Sequence, residues 1–441
     1  LLYNLFLHPL SKYPGPRLAA CSKYWYIWKW TGGRWPFVTR ELHDKYGDIV
    51  RIAPNELSFS NVESWNEIYG HANKGRKIFL KSDFYERGAS YPSIVTARNP
   101  EEHRRQRKAL SHAFSASALR DQEQIIHQYT DMFIGRLEEW KLAFGESFDA
   151  VKMGRSHPWV STVMDTIREQ DLMQHARDAP WLALIFPFFV PSGLMEKFKL
   201  NRQYTLDKVT TRIKNQDKIT RVDFFKHILE KGDLPRPGLD SNADLLIIAG
   251  SETTATCLSG ITYWLHRNPD CLSKLKSEVR NNIASFDDIT GDVAAKLPYL
   301  NAVIEEGLRI YPPVPFGLKR ISQGAVVSEQ YIPAGTTVST PSWVAHHDKR
   351  YWKDPDSFRP ERWIDEGFGD NHGAFNPFSL GPRVCLGINL AYLEMRVILT
   401  KLIFSYDWEV VQDLDWDKEN VAYVLWKKPE LRMRFHRRTT V

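Results

Sequence analysis

Only four cysteines occur in 441 residues, at Cys21, Cys257, Cys271 and Cys385. None stands in a C-x-x-C pair or at disulfide-like spacing, which excludes a zinc site and an extracellular disulfide scaffold. No run of about 18 apolar residues occurs, so the sequence predicts no membrane-spanning helix in this chain. Internal repeats and low-complexity segments are missing. No nucleic-acid motif is present and the basic residues are mostly spread out, so no nucleic-acid partner is expected. The charge is only mildly basic, net +6 with a pI of about 8.9, which suits a membrane surface or an acidic partner. What is plentiful is apolar: 43% hydrophobic residues with 15 tryptophans and 23 phenylalanines, enough for a large core or for enclosing an apolar ligand.

One stretch organises the rest: Phe378-Ser379-Leu380-Gly381-Pro382-Arg383-Val384-Cys385-Leu386-Gly387. Leu386, Leu390, Leu393, Val397 and Leu402 recur at helical spacing, so Cys385 stands just ahead of a helix. The unpaired N–H groups and positive dipole end there favour a thiolate. Gly381 and Gly387 allow a tight turn and close approach of a flat ligand. Arg383 lies within reach of an anionic group. A thiolate with one open face and a cation nearby suits axial ligation of haem iron, with the arginine on a propionate. The alternative for an isolated cysteine is a small buried hydrophobe.

The run fits F-x-x-G-x-R-x-C-x-G at every fixed position: Phe378, Gly381, Arg383, Cys385 and Gly387. In this it resembles the cytochrome P450 haem-thiolate monooxygenases. Other family patterns follow in order. Asn99-Pro100-Glu101-Glu102 signals a helix start, and His103 and Arg107 share one face of that helix. The family has an aromatic–x–x–x–Arg pattern there, usually with Trp, that meets haem propionates; here His replaces it and keeps a donor. Arg104, Arg105 and Lys108 form a basic run, either a solvated face or a reductase-docking surface. A long helix from about Ser241 to Arg267 contains Ala249-Gly250-Ser251-Glu252-Thr253-Thr254. The Thr253 hydroxyl could bond back to the Ala249 carbonyl and loosen the ladder. This matches the family's oxygen-binding motif, which implies that Thr253 and Glu252 help deliver protons during oxygen activation.

Pro298 to Arg309 reads as a helix whose apolar face is Leu300, Val303, Ile304 and Leu308, with Glu306 and Arg309 on the other side. Glu306–Arg309 matches the family's E-x-x-R, and Arg362 in Pro360-Glu361-Arg362-Trp363 its third member; the implied triad is structural and locks the cysteine loop. Arg320 matches an arginine that often meets a propionate. Elsewhere, residues 18–47 and 115–144 read as helical. Ile49–Ile52 and Leu57–Phe59 read as short strands, and Val326-Val327 with Tyr331–Val338 as a hairpin. The apolar run Pro180–Pro191 falls where relatives have a membrane-dipping loop. Leu1–Leu7 followed by the Pro14-Gly15-Pro16 hinge resembles the start of microsomal, fungal-type members, with an anchor expected upstream.

The resemblance implies one mainly α domain with small β-sheets, residues 18–441, after a post-anchor segment at 1–17. It implies haem b ligated through Cys385. NADPH would be used indirectly through an NADPH–cytochrome P450 reductase, and O2 and an apolar small molecule would be the substrates. The implied setting is the cytosolic face of the endoplasmic reticulum membrane, and the implied activity the monooxygenation of a fungal terpenoid or polyketide. The rival readings are an oxygen-independent isomerase or dehydratase of the same fold and a non-catalytic haem-binding protein. Phe79, Leu246, Val314, Phe316 and Val424 are the expected lining of the substrate cavity. Finally, Trp140-Lys141 runs straight into Leu142, where fungal relatives carry a further helix-length stretch. The sequence predicts that Leu245, Ile248 and Cys257 of the long helix lose cover and that the chain is fragile.

Overall fold

A computed structural model describes residues 1–72, 77–86, 91–139, 193–215, 228–229, 232, 234–365 and 367–438. Helices dominate, with four small sheets among the described residues. The aromatic N-terminal stretch is three helices rather than one, Arg17–Cys21, Lys23–Thr31 and Trp35–Tyr46. Ser22 breaks the first junction by accepting the Tyr24 N–H, and Gly32-Gly33 breaks the second. The proline hinge is docked: the Arg51 N–H donates to the Pro14 carbonyl at 2.7 Å. A Cβ on Gly15 would lie 2.3 Å from the Arg51 carbonyl oxygen, so only glycine fits.

Helix α1 (Pro100–Ser111) starts where its signals place it. The Asn99 side chain accepts the N–H groups of Glu101 and Glu102, and Pro100 fills a position whose N–H would have no partner. Helix α2 (Ala116–Glu139) follows. The central helix α3 (Arg236–Arg267) begins before Ser241, because a proline in the first turn costs no intrahelical hydrogen bond. By length and apolarity α3 could cross a membrane, contrary to the sequence expectation. Its second half packs against α4 (Pro269–Asn282), α5 (Pro298–Ile310) and α6 (Ile388–Ser405) and buries Cys257, Ile261 and Leu265, while apolar residues before it, Leu245, Leu246 and Ile247 among them, face a cavity.

The main sheet has the order β1-β2-β7-β4-β3, from Ile49–Ala53, Glu56–Phe59, Thr337–Ser339, Arg320–Ile321 and Leu80–Lys81. Only β2–β7 is parallel, and the β3–β4 register sets Lys81 opposite Arg320. The expected hairpin divides. β5 (Ala325–Val327) pairs with β6 (Gln330–Ile332), while β7 leaves to join the main sheet. Ser328 and Glu329 turn that hairpin with φ of 51° and 61°, the sense that suits twisted strands. The C-terminal chain adds β8 (Tyr406–Val410), β9 (Val421–Ala422), β10 (Trp426–Lys427) and β11 (Met433–Arg437).

The core lies where α3 to α6 meet, around Ile261, Leu275, Val303 and Ile403. The α3–α5 crossing is close: a Cβ on Gly307 would stand 2.2 Å from Ile261 Cγ1. The Trp140–Leu142 junction and the Pro180–Pro191 run lie outside the described residues. Of the three α3 residues expected to lose cover, Cys257 is buried in the core, while Leu245 and Ile248 are half-buried.

Candidate active site

A cavity of about 1300 Å³ opens between α1, α2, α3 and the start of α6. Cys385 lies on its wall, with the Thr253 stretch of α3 also lining it. The cysteine loop is closed by the Cys385 N–H donating to the Phe378 carbonyl at 2.9 Å. Gly381 makes the turn at a φ of 67°, and a Cβ there would meet the Tyr69 carbonyl oxygen at 2.2 Å. The Phe378 ring packs on Tyr392. Above Gly387, the residue before α6, nothing lies within 4 Å of where a Cβ would stand, which leaves room for a flat ligand. The sequence expectation of a favoured thiolate needs correction for the protein alone. Burial pushes the Cys385 thiol up, and the opposing Gly387 N–H and Arg107 do not offset it. A coordinated metal would displace that proton.

One wall collects positive charge. His103, Arg107, Arg383 and Lys81 line the cavity, and Arg320 stands opposite Lys81 on the sheet. Arg383 donates to the carbonyls of Ala97 and Arg98 at 2.8 and 3.1 Å. Arg107 donates to the Val384 carbonyl at 2.7 Å, and Arg320 to the Tyr85 hydroxyl at 3.3 Å. Lys81 reaches the Val95 carbonyl. None of these four cations has a carboxylate partner among the described residues. Burial, reinforced by Arg320, draws Arg383 down to about 10. Burial with Arg320 and Arg383 holds Lys81 well below its ordinary value. His103 is drawn to about 3 by burial and by all four cations, so it is a neutral donor at pH 7. Buried cations without counter-charge are costly, and a bound dianion relieves them. A thiol on an open floor beside such a wall fits haem with two propionates.

On α3 the Thr253 hydroxyl donates to the Ala249 carbonyl at 2.6 Å, as its position in the helix suggests. No neighbour stands within 4 Å of a Cβ built on Gly250. Glu252 faces Lys428, which follows β10. Across the cavity Glu394 of α6 bonds Thr254, and burial lifts its carboxyl to about 7.

Glu306 and Arg309 are fully buried, as a structural pair requires. Arg309 grips the Glu306 carboxylate with two bonds of 2.8 Å, and Arg362 adds a third at 3.1 Å. The Trp363 indole and the Arg359 backbone N–H also donate to Glu306. The triad alone would carry one excess positive charge, which Asp370 neutralises through Arg362. The cluster reaches the cysteine loop through His346. Its Nδ1 lies 3.2 Å from the Arg309 carbonyl, and its Nε2 accepts the Asn376 N–H at 3.3 Å.

The expected lining is largely replaced. Leu246 lines the cavity. Phe79 packs with Leu57 and Phe59, while Val314, Phe316 and Val424 pack on the N-terminal aromatic cluster. Ile94, Val95, Leu119 and Ile126 take their places. Sequence reasoning missed Lys81, Asp370, Glu394 and Lys428. Two had a legible signal: Glu394 is a lone acid on an apolar helix, and two buried arginines per glutamate call for a second acid.

A family model described as Cytochrome P450 matches residues 140–435, beginning at the residue where the sequence reads as shortened. Over 99% of this chain and 91% of its own length, cytochrome P450 monooxygenase poxC of Penicillium oxalicum is 45% identical. BOA3 of Botryotinia fuckeliana, also a cytochrome P450 monooxygenase, is 41% identical over 98% of the chain and 92% of its own length. The first alignment spans 447 residues and the second 471, so the second relative carries more residues that this chain lacks.

Proposed function

The chain belongs to the cytochrome P450 family and is a cytochrome P450 monooxygenase, and from that premise we propose that it inserts one oxygen atom from O2 into an apolar fungal secondary metabolite, a terpenoid or polyketide. The carrying observation is one cavity that joins the open Cys385 thiol, Thr253 of α3 and a wall of buried cations that have no carboxylate partner among the described residues. In this reading Cys385 is the iron ligand, and Arg107, Arg320, Arg383 and His103 hold the propionates. Haem, when bound, supplies the redox-active iron that dioxygen chemistry requires. The chain's own residues do the rest. Gly250 and Gly387 leave space on the two faces of the cavity, and apolar residues such as Leu246 and Ile94 exclude water and select substrate by shape. Glu252 and Thr253 hold and pass protons. Electrons come from NADPH through a separate reductase that docks on the exposed Arg104 and Lys108. Arg105 contributes less there, since Glu102 neutralises it. The exposed apolar group Leu1, Leu2, Phe6, Leu7, Leu18 and Trp28 supports seating on the cytosolic face of the endoplasmic reticulum membrane.

The test is spectroscopic. The reduced protein with carbon monoxide should give the red-shifted Soret band of thiolate ligation, and Cys385→Ser should abolish it. A normal band in that variant overturns the assignment. A screen of fungal terpenoids and polyketides for a substrate-induced Soret shift then identifies the substrate. The intact Glu252-Thr253-Thr254 favours oxygen-dependent chemistry over an isomerase.

A further inference from the structure

The cavity wall that carries Ile94 and Val95 is a tight turn held from outside itself. The Ser93 carbonyl accepts the N–H groups of Thr96 and Ala97 at 3.0 and 2.7 Å, and the Ser93 N–H donates to the Thr96 hydroxyl at 2.8 Å. Ile94 and Val95 are the central residues of that turn. The Ile94 N–H is buried and donates to the Asn242 carboxamide oxygen of α3 at 2.9 Å. Two residues earlier, the Pro92 carbonyl accepts from the Gln106 side chain of α1 at 2.8 Å. The two carboxamides also meet each other: Asn242 Nδ2 donates to Gln106 Oε1 at 3.1 Å. Their remaining N–H groups go to the Gly238 carbonyl at 2.8 Å and the Glu102 carboxylate at 2.6 Å. Each carboxamide thus uses both N–H groups and its oxygen, and turning either one over would set N–H against N–H. Asn242 is 2% exposed and Gln106 is fully buried. Ser241 donates to the Tyr91 carbonyl at 2.9 Å, and Tyr91 lies so close on α3 that a Cβ on Gly238 would stand 3.1 Å from its ring.

We propose that Asn242 is a specificity-determining positioning residue: with Gln106 it forms a latch that ties the Ile94 turn to α3 and α1, and so sets the shape of the wall that a substrate meets. Neither Asn242 nor Gln106 lines the cavity, so both act through Ile94. The Ile94 N–H finds its partner in Asn242 rather than in its own turn, and the side chain stands where that bond puts it. Without the Asn242 oxygen a buried N–H is left unpaired, and the turn relieves that cost by moving. The far end of the segment is fixed independently. Lys81 holds the Val95 carbonyl, and Arg383 holds those of Ala97 and Arg98. The latch therefore governs the Ile94 end of the wall, and the cations govern the other. This inference rests on the proposed reading of the cavity as the haem and substrate site, and adds to it the residues that shape one wall.

The experiment uses the haem-loaded protein and three azoles that ligate haem iron through nitrogen: imidazole, 1-phenylimidazole and 4-phenylimidazole. The two phenyl isomers share one composition and differ in the direction their ring takes from the iron. The ratio of their dissociation constants therefore reads the position of the walls, while imidazole alone is the small control. Soret titrations compare wild type, Asn242→Leu, Ile94→Ala and the double variant. Leucine keeps nearly the volume of asparagine and removes the bonds. Asn242→Leu should change the isomer ratio by about tenfold, the size of a small change of shape in an apolar pocket, and leave imidazole affinity unchanged. With the turn released, Ile94→Ala should change the ratio far less in the Asn242→Leu background than alone. An unchanged ratio in Asn242→Leu overturns the latch. Equal weakening of all three azoles overturns it as well, because a merely structural loss does not tell isomers apart. Additive effects of the two substitutions also overturn it. These outcomes leave the proposed function standing. Absence of any Soret shift with imidazole in the wild type overturns the proposed haem site and the latch together. Should Asn242→Leu load haem poorly, Gln106→Leu, which frees the Pro92 carbonyl, is judged by the same ratio.

Discussion

Lys81 carries the first prediction at the scale of single residues. It is buried beside Arg320 and Arg383 with no carboxylate partner among the described residues, so its charge is favourable only when an anion sits beside it. Lys81→Met should leave the haem-free protein as stable or more so, and should speed haem transfer to a scavenging apoglobin roughly 10- to 100-fold, the value of one charged hydrogen bond. Unchanged transfer would remove Lys81 from the propionate wall. His346 carries the second. Burial and Arg309 draw its imidazole down to about 3, and burial draws His43 to about 4. Both are neutral in the folded state and take up protons near their ordinary value of 6.5 once unfolded. Below that pH the unfolded chain binds more protons, so stability is full above about 6.5 and falls as pH drops. Each side chain contributes a loss of about 1.4 kcal/mol per pH unit until its folded value is reached. Urea midpoints between pH 7 and 5 should show this slope, and His346→Gln should flatten it.

Between elements, the α3–α5 crossing holds the cysteine loop and the oxygen motif in one frame. Gly307, inside the Glu306–Arg309 motif, lets Ile261 of α3 press onto α5. Ile261 is fully buried and, being β-branched, has little rotamer freedom to yield. Gly307→Ala should therefore lower stability by about 1–3 kcal/mol, even though alanine is the better helix former. Urea denaturation measures the loss, and adding Ile261→Ala should recover part of it by opening space. A Gly307→Ala variant more stable than the parent would show that the crossing has room for a methyl group there. The motif itself was legible in the sequence, whereas the reason for a glycine within it was not. That reason lies in a side chain 46 positions earlier.

For the whole molecule, the sequence reading of a shortened connection at Trp140–Leu142, outside the described residues, carries a prediction. Cys257 is covered, so any exposed apolar cost falls on Leu245 and Ile248 at about 1.5–3 kcal/mol for each fully uncovered side chain. Transcript sequencing across the junction should match the sequence. Inserting a helix-length segment after Trp140 should raise the thermal midpoint without altering the carbon monoxide band. An unchanged midpoint would show that the shorter connection costs nothing.

The sequence by itself determined the family, the mainly helical class and the identity of Cys385, Thr253, Glu306, Arg309 and Arg362. Each of these stands in a short motif whose spacing is local. It also determined the Asn99 cap and the Thr253 back-bond, which involve residues within one helical turn. Only the tertiary structure decided which charges meet. Lys81 lies near Arg383, Asp370 completes the arginine cluster, Glu394 reaches Thr254 and Lys428 pairs with Glu252. It also decided that Phe79, Phe316 and Val424 are packing rather than lining. The physical reason is the same throughout. Periodicity fixes the face of an element on which a side chain stands, but a charge or a cavity wall is defined by what stands opposite. That partner comes from a distant part of the chain, brought there by the packing of helices and the register of strands.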